Sequence, residues 1–156
     1  MERLDFFDEY YRLWLLLSQT RSAIFKARQK RLGWYVHFNQ AAALLTIWAL
    51  EGQATPAVLS RQLFLEPHSA SELIIRMEKK GLVTKNKDKV RGNIVRLSIT
   101  EKGRKLCTQT VQVDFIRSII SSLTKEQREQ LSSLLSILFK QALKELGIVG
   151  EQPLLS

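Results

Sequence analysis

The sequence predicts a mainly α fold with a small β-wing, a winged helix-turn-helix flanked by long helices at both ends. Three observations point there. Apolar residues recur at helical spacing near both termini. Two short central helices each open on a proline, Pro56 and Pro67. The apolar period then switches to two between residues 82 and 99, around a polar tip with turn residues.

Residues 3–31 read as one helix, because Leu4, Phe7, Tyr11, Trp14, Leu15 and Leu17 keep near-helical spacing and no Pro or Gly intervenes before Gly33. Gly33 and Asn39 mark a break and a cap. Residues 40–51 are Ala-rich and apolar on most faces (Ala41, Ala42, Leu44, Leu45, Ile47, Trp48, Leu50), the pattern of a buried helix, which Gly52 ends. Thr55-Pro56 supplies a capping residue and a Pro at the first helical position, opening a short helix with Val58, Leu59 and Leu63 inward. After the turn Leu65-Glu66-Pro67, a fourth helix spans 67–80. It places Ala70, Leu73, Ile74 and Met77 on one face and stops at Gly81. Leu82-Val83-Thr84 and residues 94–99 read as strands. Val95, Leu97 and Ile99 alternate with Arg96 and Ser98 across the polar tip 85–93. Thr100-Glu101-Lys102-Gly103 opens a helix to about residue 121. Thr124 and Gln127 form a capping box for a last helix to about residue 146, striped by Leu131, Leu134, Leu135, Leu138, Ala142 and Leu146.

Composition narrows the function classes. The 156 residues are 45% hydrophobic, too much for a disordered chain. The 24 Lys and Arg exceed the 15 Asp and Glu, leaving a formal charge of +9 that draws the protein to polyanions, nucleic acid or anionic membrane. No apolar run reaches the ~18 residues that span a bilayer. The N-terminus mixes charge signs instead of carrying a basic signal region. One cysteine, Cys107, forms no internal disulfide and no Cys-rich metal site. A cytoplasmic protein is expected, with no membrane partner.

Charge is concentrated in the wing. Residues 82–106 hold eight positive side chains (Lys85, Lys87, Lys89, Arg91, Arg96, Lys102, Arg104, Lys105) against Asp88 and Glu101. A basic hairpin tip suits a phosphate backbone or a minor groove. Lysines also blunt a hairpin against edge pairing. The position directly after a helix-turn-helix pattern favours DNA, with Lys87, Lys89 and Arg91 as phosphate contacts. The 67–80 helix presents His68, Ser69, Ser71, Glu72 and Arg76 on its polar side. Short hydroxyl side chains near a helix N-terminus suit base edges and phosphates. Glu72 either accepts from a cytosine amino group or holds Arg76 four residues on, and the ion pair is preferred. No enzyme is expected: the two histidines, His37 and His68, lack metal-ligand spacing, no Gly-rich phosphate loop occurs, and Ser60 has no recognisable base. Cys107 sits beside Leu106 on an apolar-leaning register and reads as core. Trp34, Tyr35, His37 and Trp48 read first as core, and second as a pocket for a small ligand.

The middle of the chain resembles the multiple-antibiotic-resistance regulator (MarR) family. The resemblance rests on residues 54–63 (Ala54-Thr55-Pro56 to Leu63), on Arg76-Met77-Glu78-Lys79-Lys80-Gly81-Leu82-Val83, and on Val95-Arg96-Leu97-Ser98-Ile99-Thr100-Glu101-Lys102-Gly103. It implies a homodimer without cofactor, in which residues 40–106 form the DNA-binding lobe and residues 1–38 and 107–147 the dimerisation helices, all within one chain of residues 1–156. It places His68, Ser69, Ser71, Glu72 and Arg76 on the reading positions. The family's Asp-x-Arg wing motif is matched by Asp88-Lys89-Val90-Arg91, stretched by a residue. Glu66-Pro67-His68 stands where the family favours small hydroxyl residues. The cysteine of the family's peroxide sensors lies near the first helix, and Cys107 does not match it. The family's small, often aromatic, ligands make Trp34, Tyr35, His37 and Trp48 a ligand-site candidate.

The resulting expectation is a sequence-specific transcriptional regulator, a repressor occluding a promoter, on a pseudo-palindrome of double-stranded DNA. The alternative from another class is a winged-helix protein-interaction module without DNA contact, compatible with Glu72 on the reading face. A peripheral membrane protein is third, on the basic stretch 21–31.

Overall fold

The computed structural model describes residues 8–32, 37–50, 52–110 and 113–149. The first helix is described as α1 (Glu9–Leu32), and residues 3–7 of the expected helix lie outside the described residues. Asp8 Oδ1 accepts the Tyr11 N–H at 2.8 Å and caps the first turn. Glu9 near the start and Lys30 and Arg31 at the end complement the helix dipole. Tyr10, Leu13, Trp14 and Leu16 of α1 are exposed. The break expected at Gly33 lies outside the described residues.

Residues from Phe38 onward form a second unit. It contains α2 (Phe38–Ala49), α3 (Pro56–Gln62), α4 (Pro67–Lys79), β1 (Val83–Lys87), β2 (Val95–Ile99), α5 (Glu101–Thr110), α6 (Val113–Ile120) and α7 (Lys125–Glu145). The core gathers Leu44 and Ile47 of α2, Leu59 of α3, Leu73, Ile74 and Met77 of α4, Leu97 of β2 and Cys107 of α5. The inward residues expected on α4 are buried as a set, Ala70 included. Two polar α2 side chains are buried and satisfied. Thr46 donates to the Ala42 carbonyl at 2.8 Å, and Gln40 accepts from Lys80 Nζ at 3.2 Å.

The caps form as expected. Thr55 Oγ1 accepts the Val58 N–H at the start of α3. Thr124 and Gln127 exchange two bonds, at 2.8 and 3.2 Å, ahead of α7. Along α7 the leucine stripe faces solvent: Leu131, Leu134, Leu135 and Leu138 are exposed, with Ile137 beside them. The single helix expected over 100–121 is described as α5 and α6, on either side of residues 111 and 112, which lie outside the described residues.

The wing strands pair antiparallel, from Val83 opposite Ile99 to Lys87 opposite Val95. β1 runs to Lys87, three residues past the apolar run that announced it. Only Val83 of β1 is buried, so Lys85, Asn86 and Lys87 extend the ladder at no desolvation cost. The Leu97 N–H also donates to the Ala54 carbonyl at 2.9 Å, tying β2 to the segment before α3.

The wing is fixed to the end of α4 by a clasp. Gly81, at φ +70°, closes α4 with paired bonds from its own N–H to the Glu78 carbonyl and from Leu82 N–H to the Met77 carbonyl. Thr100 caps α5 by accepting the Gly103 N–H at 3.0 Å and donates its hydroxyl proton to the Gly81 carbonyl at 2.6 Å. Lys102 Nζ reaches the Lys80 carbonyl at 2.8 Å. Gly103 lies so close that a β-carbon there would stand 2.2 Å from the Leu82 carbonyl oxygen and 2.8 Å from Ile99 Cγ1. Gly103→Ala is therefore expected to destabilise the fold by about 3 kcal/mol, because backbone rather than a flexible side chain must give way. Urea denaturation checks this, and a loss under about 0.5 kcal/mol, the range of neutral surface substitutions, would contradict the packing.

Candidate nucleic-acid interface

The turn between α3 and α4 aims the reading helix. Ser60 is buried and donates to the Leu65 carbonyl at 2.6 Å, while Leu65 N–H donates to the Ser60 carbonyl at 3.0 Å. The serine is thus a structural latch. Phe64, between them, holds a left-handed backbone with φ 52°, costly for a residue with a β-carbon. Its ring meets the edge of Phe139 on α7, centroids 6.0 Å apart.

Pro67 occupies the first turn of α4, and Glu66, its N-cap, makes no side-chain cap bond. No side chain of the cap takes the His68 and Ser69 N–H groups, which a helix leaves without an intrahelical acceptor and which a phosphate or base acceptor could use. His68, Ser69, Ser71, Glu72 and Arg76 are all exposed, as expected. Glu72 chooses a different partner, however. Its Oε1 lies 3.3 Å from His68 Nε2, one turn back, so the preferred pairing with Arg76 is not formed. The spacing of 68 and 72 is the same four residues as that of 72 and 76. Two outward residues were not anticipated. Ile75 and Lys79 continue the exposed stripe 68–71–72–75–76–79, and Ile75 keeps 42% of its surface. Helical spacing from His68 was the signal available. An exposed branched aliphatic chain on this face suits a thymine methyl.

On the wing the structure sorts the positive charges. Lys85 pairs with Glu78 at 3.0 Å, and Lys102 is committed to the Lys80 carbonyl. Arg96 is committed too: its Nε donates to Asp88 Oδ2 at 2.7 Å and its Nη1 to the Gln53 carbonyl at 3.3 Å. Lys87, Lys89 and Arg91 are exposed and, like Arg76, have no acidic partner among the described residues. Asp88 Oδ1 accepts the N–H groups of Val90 and Arg91 at 2.9 and 2.8 Å. Those two donors and the Arg96 guanidinium hold the carboxyl well down, to about 2.

The aromatic candidates are described only in part. Trp34 and Tyr35 lie outside the described residues, and His37 is exposed. Trp48 is half-buried and lines a cavity of about 270 Å³ with Ile47, Gly52, Ser98, Ile99 and Arg104. Cys107 is fully buried, and desolvation pushes its thiol up, away from the reactive thiolate. Among the described residues no group of His, Cys, Asp and Glu is placed to hold a metal ion, and no helix is long and apolar enough to cross a membrane.

An exposed reading helix, followed directly by a cationic wing clasped to its end, defines a winged helix-turn-helix of the transcription-regulator class. No family profile matches the sequence. The chain is 30% identical over 104 residues to the organic hydroperoxide resistance transcriptional regulator of Bacillus subtilis (strain 168), covering 67% of this chain and 68% of that protein. The crystal structure of the organohalide-sensing transcriptional regulator RdhR, bound to 2,4-dichlorophenol, superposes with a TM-score of 0.77 at 28% identity, covering 92% of this chain and 86% of that one. A mutant of MarR from E. coli in complex with operator DNA shares the fold, with a TM-score of 0.65 at 19% identity over 84% of this chain and 99% of that one. The chain belongs to the MarR family of DNA-binding transcriptional regulators.

The Asp88 carboxyl should titrate at about 2 in the folded protein, against the usual 3.8. Because the folded value is depressed, its contribution to stability is complete above about pH 4 and is lost as the pH falls through about 2. Carboxyl-detected NMR titration reads this directly, and an ordinary value would show the wing-tip bonds open in solution.

Proposed function

We propose that this regulator binds a pseudo-palindromic operator in double-stranded DNA as a homodimer, represses by occluding a promoter, and works in the cytoplasm by binding rather than catalysis. The observation that carries the reading is the set of cations with no acidic partner among the described residues, Arg76 on α4 and Lys87, Lys89 and Arg91 on the wing, displayed on two elements locked together by the clasp. In this reading His68, Ser69, Ser71 and Arg76 meet base edges and nearby phosphates, and Glu72 acts through His68. The wing cations neutralise phosphates and set the register.

The dimer reading is supported by the exposed aliphatic stripe of α7 and the exposed aromatic and leucine residues of α1, too much apolar surface for a lone chain to leave wet. Residues 1–38 and 107–147 would supply the dimer contacts and residues 40–106 the DNA lobe. The division of the chain after His37 supports the first of those boundaries.

A small aromatic ligand is the proposed signal, supported by the dichlorophenol in the RdhR structure. Trp34, Tyr35, His37 and Trp48 are the candidate contacts, and the cavity beside Trp48 favours the last of them. Peroxide sensing is not proposed, because the lone thiol is buried and shifted away from the thiolate.

Arg91→Ala should weaken binding to all duplexes alike and flatten the log–log salt dependence by about one unit. Fluorescence anisotropy across a salt series measures both, and an unchanged slope would remove the wing from the interface. An organic hydroperoxide should leave DNA binding by the wild type and by Cys107→Ala equal. Release of the wild type alone would make Cys107 a sensor after all.

A further inference from the structure

A carboxylate on a hairpin that faces phosphates is out of place on charge alone. Asp88 sits among Lys85, Lys87, Lys89 and Arg91, and its own field opposes the approach of a polyanion. Yet it is the most heavily bonded side chain of the wing. Oδ1 gathers the backbone N–H groups of Val90 and Arg91, and Oδ2 takes the Arg96 guanidinium. The Asp88 N–H donates to the Ile94 carbonyl at 2.8 Å, and the Ile94 N–H to the Arg91 carbonyl at 2.8 Å, which closes the tip into a ring around the carboxylate. Arg96 carries the connection onward to the Gln53 carbonyl, in the segment that leads into α3. Both members of the ion pair are largely covered, with side-chain exposures of 16% for Asp88 and 27% for Arg96.

We propose that Asp88 is the positioning residue of the wing. Through Val90 and Arg91 N–H it sets the backbone from which Lys89 and Arg91 project, and through Arg96 it ties that backbone to the lobe carrying the reading helix. The inference rests on the reading of the wing as a DNA contact. It assigns to an acid, and to the arginine eight residues later, a role that counting basic residues hides. Arg96 is withdrawn from the phosphate-binding set and becomes the bridge of the brace. The tip that remains is a preorganised pair of cations, whose ordering cost is met on folding rather than on binding.

Charge and geometry predict opposite signs, which makes the test decisive. If Asp88 were only a solvated acid, its removal would strengthen duplex binding. As a positioning residue, its removal weakens it. Wild type, Asp88→Ala, Asp88→Asn and Arg91→Ala are compared by anisotropy on one selected duplex, with thermal melting as the check on folding. Amide hydrogen exchange at Val90 and Arg91 is followed in the same proteins without DNA. The expected result is a loss of about tenfold for Asp88→Ala, some 1.4 kcal/mol, with faster exchange at both amides. Asp88→Asn, which keeps an acceptor for the two amides but loses the ion pair, falls between, and it carries the test if the alanine variant does not fold. Equal or tighter binding by both Asp88 variants, with Arg91→Ala weakened, overturns the brace and leaves the DNA-binding wing standing. Indifference of binding to Arg91→Ala removes the wing reading, and the brace with it.

Discussion

The clasp between residues 80–82 and 100–103 is the contact on which the DNA-facing surface depends. A helix-turn-helix and a hairpin can each fold with their own hydrogen bonds and still point in unrelated directions. Here the end of α4 and the start of α5 share bonds through Thr100, Lys102 and the bare α-carbon of Gly103. The hairpin between them is therefore anchored at both roots. One of the two segments ends the reading helix and the other leaves the wing, which is why the sequence stretches around Gly81 and Gly103 are informative together. Each glycine answers a different demand: Gly81 a left-handed φ, Gly103 a backbone passing within reach of a missing β-carbon.

Net charge draws a protein to DNA, but the arrangement of partners decides which charges act there. Of the eight cations between residues 82 and 106, Lys85, Arg96 and Lys102 are engaged within the chain. Their work is to fasten the wing to α4, to its own tip and to the lobe. The exposed remainder can release counterions from a phosphate backbone. The same division runs along α4, where Glu72 pairs with His68 and Arg76 has no acidic partner among the described residues.

Much of this was legible in the sequence wherever a local rule governs. Thr55 before Pro56, Thr124 with Gln127 and Gly81 after Lys80 are short-range signals, and each formed as its chemistry requires. The buried face of α4 followed from periodicity alone. Two of the misses share one cause, a choice among partners that spacing leaves equivalent. Glu72 has a basic neighbour four residues away on either side, and it takes His68. Arg96 reads as the wet half of an alternating strand, but the return of the hairpin brings it to Asp88. β1 outran its apolar segment because strand pairing on an exposed ladder asks little of its side chains.

The left-handed backbone at Phe64 has a mechanical consequence. A strained turn relaxes unless something holds it, and the ring of Phe64 rests against Phe139. The hinge that sets the pitch of the reading helix thereby shares a joint with the C-terminal helix. That joint links α7 to the corner between α3 and α4 through two rings that lie outside the buried core cluster.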